Sequence, residues 1–155
     1  MAAIRYPEAF LTRMRNALGT EYQSFLASME LPAPVSVRIN PYKRILKFDD
    51  ERKVSWCEDG RYLDERPSFT FDPLFHAGCY YVQEASSMII EQVWKHICPD
   101  VKAVRVLDLC AAPGGKSTHL LSLMNGKGLL VSNEIIPTRN KILQQNITKW
   151  GVPNC

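Results

Sequence analysis

The chain has 155 residues, 46% of them hydrophobic and 23% charged, with a formal net charge of +3. That length suits one domain or two small ones with enough buried surface for a real core, and the composition is that of a globular protein rather than a disordered or fibrous one. No apolar run approaches ~18 residues, so no membrane span is expected, and the opening MAAIRYPEAF lacks the charged-then-apolar pattern of a signal peptide.

Five cysteines (Cys57, Cys79, Cys98, Cys110 and Cys155) are odd in number and widely spaced. With no export signal, reduced thiols of a cytoplasmic protein are expected rather than disulfides. No C-x-x-C pair suggests zinc, and no metal is expected. Residues 1–75 hold 11 basic and 11 acidic side chains and residues 76–155 hold 8 and 5. Charge alone therefore gives little support for a nucleic-acid partner, which needs a concentrated basic face.

In chain order, Pro7 and Glu8 open a first helix carrying Phe10, Leu11, Met14 and Leu18, which Gly19 ends. Thr20 is the expected N-cap of a second helix with Tyr22, Phe25, Leu26 and Met29, stopped by Pro32 and Pro34. Residues 34–40, PVSVRIN, alternate apolar and polar and read as a half-buried strand. Val54–Cys57 and Arg61–Leu63 flank Glu58-Asp59-Gly60, a hairpin signal. These elements make a small α+β unit over residues 1–75.

From residue 76 the rhythm changes. Glu84–Ile97 has a helical pattern, and Val104–Leu109 is a near-continuous apolar strand of the kind buried in parallel sheets. A helix from Gly115 to Met124, a turn at Asn125-Gly126, a strand over Leu129–Asn133 and a helix from Pro137 to Trp150 follow. Strand, helix, strand, helix implies a parallel α/β sheet with right-handed crossovers. Two strands do not complete such a sheet, so the chain is read as part of a longer protein whose exposed sheet edges favour self-association.

The stretch LDLCAAPGGKSTHL, residues 107–120, admits three readings. A phosphate-binding P-loop fits Gly115, Lys116 and Ser117, but Cys110 stands where its first glycine belongs and Pro113 removes an amide donor. A dinucleotide loop needs G-x-G-x-x-G, which is absent. The third ligand is S-adenosylmethionine (SAM), which has no phosphate to cradle. Asp108 at the strand end, Ala111, Ala112, Gly114 and Gly115 supply an acid, small residues and a helix start. Glu134, about 20 residues on at the end of the next strand, is placed to accept from ribose hydroxyls. The bland alternative makes both acids caps and the glycines turns.

VLDLCAAPGGKSTHL and VSNEIIPTRNKILQQNITKWGVPN, preceded by PVSVRIN and DPLFHAGCYYVQEASSM, resemble the NSUN- or Sun-type SAM-dependent RNA 5-methylcytosine methyltransferases. The RPSFTFDPLFHAGCYYVQE wording is similar to the bacterial members that act on ribosomal RNA. The resemblance implies a small α+β unit (1–75) with an RNA-facing surface, followed by the first part of a Rossmann-like class I methyltransferase sheet (76–155). It implies that Cys110, Ala111, Ala112, Pro113, Gly114, Gly115 and Lys116 contact SAM, with Glu134 on the ribose and Arg139 near the same pocket. Arg38, Lys43, Arg44 and Lys47 become candidate phosphate contacts, or a solvated charged face. Phe75, Tyr80 and Tyr81 become candidates for base stacking, or core.

The family's chemistry adds a cysteine thiolate to carbon 6 of cytosine to activate carbon 5, with the two working cysteines in Pro-Cys and Thr-Cys pairs. Neither pair occurs here, so no catalytic residue is assigned and the chain by itself is expected to be inactive. A non-catalytic SAM- or RNA-binding module and a degenerate P-loop protein are the alternatives.

Overall fold

The computed structural model describes residues 6–100 and 103–155; the first five residues, read above for targeting signals, lie outside them. The chain forms two compact units, Met1–Ala33 and Pro34–Cys155. In the first, α1 (Glu8–Leu18) and α2 (Tyr22–Met29) are joined by a 3-10 turn, Gly19–Glu21. Phe10 bridges Tyr6 and Phe25, with ring centroids 5.9 and 6.3 Å apart. Thr20 lies inside the 3-10 turn and caps nothing, because the turn continues the chain's helical path without the extended residue an N-cap needs.

The second unit carries two sheets. β1 (Val35–Ile39) is the middle strand of an antiparallel trio, flanked by β2 (Gly60–Leu63) and β3 (Tyr80–Val82), with Val37 opposite both Arg61 and Val82. The expected hairpin is reduced to one antiparallel bridge, closed by the Val54 N–H on Gly60 O and the Tyr62 N–H on Arg52 O at 3.0 and 2.8 Å. Val54–Cys57 forms turns, a single bridge joins Lys53 to Arg61, and β2 pairs with β1 instead. A short helix α3 (Pro73–His76), capped by Asp72 on the Leu74 N–H at 2.9 Å, leads into β3. Val37, Ile39, Phe48, Leu63, Phe69 and Tyr80 make one core on a face of this sheet.

β1 is not half-buried. Its polar residues Ser36 and Arg38, with Asn40 just past its end, sit on the other face and are as buried as the apolar ones. All find hydrogen-bond partners in the later part of the chain: Ser36 on Gln83 O just after β3, Arg38 on Thr118 of the helix read from Gly115, and Asn40 on Trp150 O at the end of the last helix.

The region read as one helix, Glu84–Ile97, begins as a 3-10 segment (Ala85–Ile89) and becomes α4 (Ile90–Ile97). β4 (Arg105–Asp108) and β5 (Leu129–Ser132) pair in parallel with Asp108 level with Ser132, and α5 (Gly115–Met124) crosses between them. α6 (Pro137–Trp150) follows. Trp94, Leu120, Leu121, Met124, Leu130 and Trp150 form the second core. Only one face of this pair is covered: Leu107 is 59% and Val131 50% exposed, against the fully buried strands expected. Beyond α6, the Leu130 N–H donates to Asn154 O at 2.9 Å, so the last residues begin to line the outer edge of β5.

Candidate functional site

The carboxyl ends of β4 and β5 meet the amino end of α5. Asp108, the last residue of β4, is held rather than free. The Ser117 hydroxyl donates to its Oδ2 at 2.7 Å, Ser132 Oγ donates to Ser117 Oγ at 3.2 Å, and the Cys110 N–H approaches Oδ1 at 3.4 Å. Ser117 is fully buried in the first turn of α5, so one side of the carboxylate is fixed from below. The loop returns across β5 through Ala111 N–H to Asn133 O and Asn133 N–H to Asp108 O, at 2.9 and 2.8 Å.

The carbonyls of the loop are braced one after another. Arg139 Nη2 donates to Ala112 O at 2.8 Å, Asn146 Nδ2 to Pro113 O at 2.7 Å, and the Thr118 hydroxyl to Gly114 O at 2.8 Å. The first two come from α6 and the third from α5. The Ala112–Pro113 peptide is cis. Gly114 has φ 111°, a backbone that side chains rarely adopt, and an added Cβ would meet Leu143 Cδ1 at 3.3 Å. At Gly115 an added Cβ would point at the Tyr81 ring, 3.5 Å away. Both glycines thus answer to packing on the protein side. Ala111 and Ala112 are buried against Leu143, while Cys110, Pro113 and Lys116 are exposed.

Glu134 follows β5 with a nearly buried side chain. Its Oε1 accepts from the Ile136 N–H at 3.0 Å and its Oε2 lies 3.6 Å from Arg139 Nη1. Arg139 therefore joins this acid to the Ala112 carbonyl. Ile135, the next residue, is 84% exposed. The structure gathers Cys110–Lys116, Glu134 and Arg139 about one sheet edge. It adds Ser117, which the sequence marked only under the P-loop reading, and Asn133, Thr118 and Asn146, which the linear pattern did not mark, because their partners lie across a strand or on another helix. Backbone amides do not form a phosphate nest here. Those of Cys110 and Ala111 face inward and Pro113 has none, which removes the P-loop reading.

The candidate phosphate contacts separate. Arg38 is 1% exposed and cannot reach an RNA backbone; the covered face of β1 explains the correction. Lys43 donates to the carbonyls of Ala77 and Lys149, and Lys47 pairs with Asp72. That pairing, with the Tyr80 hydroxyl and the Leu74 N–H, outweighs burial and holds the Asp72 carboxyl below its ordinary range. Arg44, with an 82% exposed side chain, remains accessible, with Asp49 Oδ2 3.9 Å from its Nη2. Tyr80 is core, its hydroxyl bonded to Asp72 at 2.6 Å, and offers no stacking face, while Phe75 packs beside it half-buried.

Beneath α5 lies a second polar group. His119 Nε2 is 3.3 Å from Glu91 Oε2 and 3.8 Å from Cys57 Sγ, and all three residues are buried. Their ligand-type atoms lie within 4.8 Å of one another. The Glu91 carboxylate is filled by Lys95 at 2.7 Å, by the Glu58 N–H at 3.2 Å and by His119, so the trio is a buried network joining α4, α5 and the turn before β2, with His119 Nδ1 left without a partner among the described residues. Burial lowers the His119 pKa to about 4 and leaves it neutral. Burial and the neighbouring Glu91 push the Cys57 thiol up to about 12. Burial opposes ionisation of Glu91, but donors from His119 and Lys95 win and lower it to about 2.

A parallel strand ending in a braced acid, a glycine loop, a helix and a second acid-terminated strand define one half of a Rossmann-like cofactor-binding sheet of the methyltransferase kind. The chain belongs to the RsmB/F family of 16S rRNA methyltransferases. The model for the N-terminal domain of 16S rRNA methyltransferase RsmF matches residues 6–85, and that for 16S rRNA methyltransferase RsmB/F matches residues 98–155. The chain is 34% identical over 167 aligned residues to ribosomal RNA small subunit methyltransferase F of Escherichia coli O1:K1 / APEC, covering 97% of this chain and 34% of that protein. It is 32% identical over 169 residues to the protein of the same description from Citrobacter koseri, covering 98% and 34%. The chain thus spans about a third of the length of these curated relatives.

A solved methyltransferase homolog protein from Pyrococcus horikoshii superposes with a TM-score of 0.78 at 28% identity, over 96% of this chain and 51% of that one. NSun6 from the same organism, solved with SFG, shares the fold at a TM-score of 0.70 and 16% identity, over 96% and 64%.

Proposed function

We propose that the protein carrying this chain is a cytoplasmic SAM-dependent RNA methyltransferase that modifies carbon 5 of cytosine in ribosomal RNA. Residues 110–116, Glu134 and Arg139 frame the cofactor site. The supporting observation is the braced loop at the joined ends of β4 and β5, in a chain matched along both of its parts by rRNA methyltransferase models. Bound there, SAM supplies the methyl group.

The chain's own residues present a fixed surface. The exposed residues of the loop, Cys110, Pro113 and Lys116, lie at the start of α5, whose amino end favours a carboxylate. Glu134 is at hand for hydroxyls once its bond to the Ile136 N–H is exchanged, and the exposed Ile135 offers an apolar face for a base. The fit rests on small buried residues beneath and a negative side chain at the rim. The functional division is a first part through residue 75, with the exposed Arg44, beside Asp49, as its accessible basic contact, and a second from residue 76 that holds the cofactor. No cysteine here stands in a Pro-Cys or Thr-Cys pair, so the covalent step is assigned to no residue of 1–155.

Calorimetry of the full-length protein tests this reading. SAM is expected to bind and ATP to give no heat. Binding of ATP without SAM would refute it.

A further inference from the structure

Ser36, Arg38 and Asn40 form one polar, buried face of β1, and each is spent on a different part of the second half. The Ser36 hydroxyl donates to Gln83 O at 2.6 Å, and Asn40 Nδ2 donates to Gly78 O and Trp150 O at 2.8 and 2.9 Å. Arg38 reaches the cofactor loop's own helix. Its Nη2 donates to Thr118 Oγ1 at 2.7 Å and to Gly115 O at 3.3 Å, while its Nε donates to Gln83 Oε1 at 2.9 Å. The guanidinium lies 4.4 Å above the Trp150 ring at the end of α6. None of these contacts is a carboxylate, and among the described residues Nη1 has no hydrogen-bond partner.

A buried cation bonded only to neutral acceptors is costly for stability alone, so its directionality is the feature to explain. Thr118 has one hydroxyl proton. While Oγ1 accepts from Arg38, that proton can turn only toward the carbonyls of Gly114, at 2.8 Å, or Gly115, at 3.2 Å. The Gly114 carbonyl closes the loop, next to the Ala112 and Pro113 carbonyls that α6 holds.

We propose that Arg38 is a positioning residue for SAM, acting through Thr118 on the Gly114 carbonyl, so that a strand of the first sheet sets the loop geometry on which cofactor affinity depends. This rests on the reading of residues 110–116 as the SAM site. Lysine at position 38 could donate to Thr118 as a point charge but could not hold Gln83 at the same time.

The test is calorimetric SAM affinity and melting temperature of the full-length protein, wild type against Arg38→Lys, Arg38→Met, Thr118→Val and the Arg38→Met/Thr118→Val double variant. Arg38→Met and Thr118→Val are each expected to weaken SAM binding roughly tenfold, the loss of one strong hydrogen bond. The double variant should bind no worse than the weaker single one, because both break the same relay. Arg38→Lys should recover part of the affinity. A purely structural role would lower the melting temperature and leave the affinity of the folded protein within twofold, and that result would overturn the proposal. If Arg38→Met fails to fold, near-isosteric Thr118→Val decides alone, and unchanged affinity there is equally fatal. Absence of SAM binding by wild type would remove the site reading and this proposal together, whereas wild-type binding with unaffected variants removes the proposal only.

Discussion

Replacing Gly114 by alanine should destabilise the chain, and the structure says by how much. The residue has φ 111°, and a side chain there costs about 1–3 kcal/mol in backbone strain. The new methyl would also stand 3.3 Å from Leu143 Cδ1, so a buried leucine packed on Ala111 and Ala112 must shift by a few tenths of an ångström. Together these amount to about 2–3 kcal/mol, or roughly 5–10 °C in melting temperature for a chain of this size. Gly115→Ala is the control. Its methyl would make ordinary contact with Tyr81 at 3.5 Å, in a helical residue, so a change within about 0.5 kcal/mol is expected. Urea unfolding followed by the fluorescence of buried Trp94 and Trp150 measures both. Equal losses in the two variants, or a Gly114→Ala protein as stable as wild type, would show that the loop is not set by this backbone.

Acid should weaken the fold through His119. Its folded pKa, about 4, lies below the ordinary 6.5, so the unfolded chain takes the proton first and stability falls as pH drops from about 6.5 to 4. The full effect is on the order of 3 kcal/mol, and Glu91, lowered to about 2, extends the loss below pH 4.5. His119→Gln should flatten the upper part of that profile in urea titrations; an unchanged slope would refute the assignment. Separately, the uncovered faces of β4 and β5, with Leu107, Leu109, Leu129 and Val131 exposed, should make residues 1–155 self-associate, and a monomer by light scattering at micromolar concentration would contradict this.

What could be read from the sequence was local. The order β4, loop, α5, β5, α6 followed from apolar runs broken by small residues, and the loop lies where LDLCAAPGGKS placed it. The failures share a physical cause, contact across distance. Glu58-Asp59-Gly60 has turn composition, but β2's partner is β1, more than 20 residues earlier, and an added Cβ at Gly60 would meet Val54 Cβ at 2.8 Å. That glycine answers to packing rather than to a hairpin. The alternation in PVSVRIN was genuine, yet polar did not mean wet, because the period of two says only that the faces differ. Which face meets water depends on α5 and α6, and these lie 75 residues and more downstream.

The same point explains the difference between the loop's residues and its supports. Residues 108–116 form one contiguous segment, so composition alone draws attention to them. Their supports are Thr118, Arg139, Asn146, Ser117 and, one layer further, Arg38; the sequence named Arg139, Ser117 and Arg38 for other roles, and their bracing role shows only once β1 and α6 converge on α5. A loop with a positive-φ glycine and three braced carbonyls has little conformational freedom of its own, so changes in its geometry must enter through those supports. Two of the three braces come from α6, and the third is tied to β1 through Arg38. Hence the antiparallel sheet is tied to the helix that opens at the loop, α5, through the buried Arg38 guanidinium, beside the separate link from Asn40 to the end of α6. A change at Arg38 should therefore register at the cofactor before it registers anywhere on the surface.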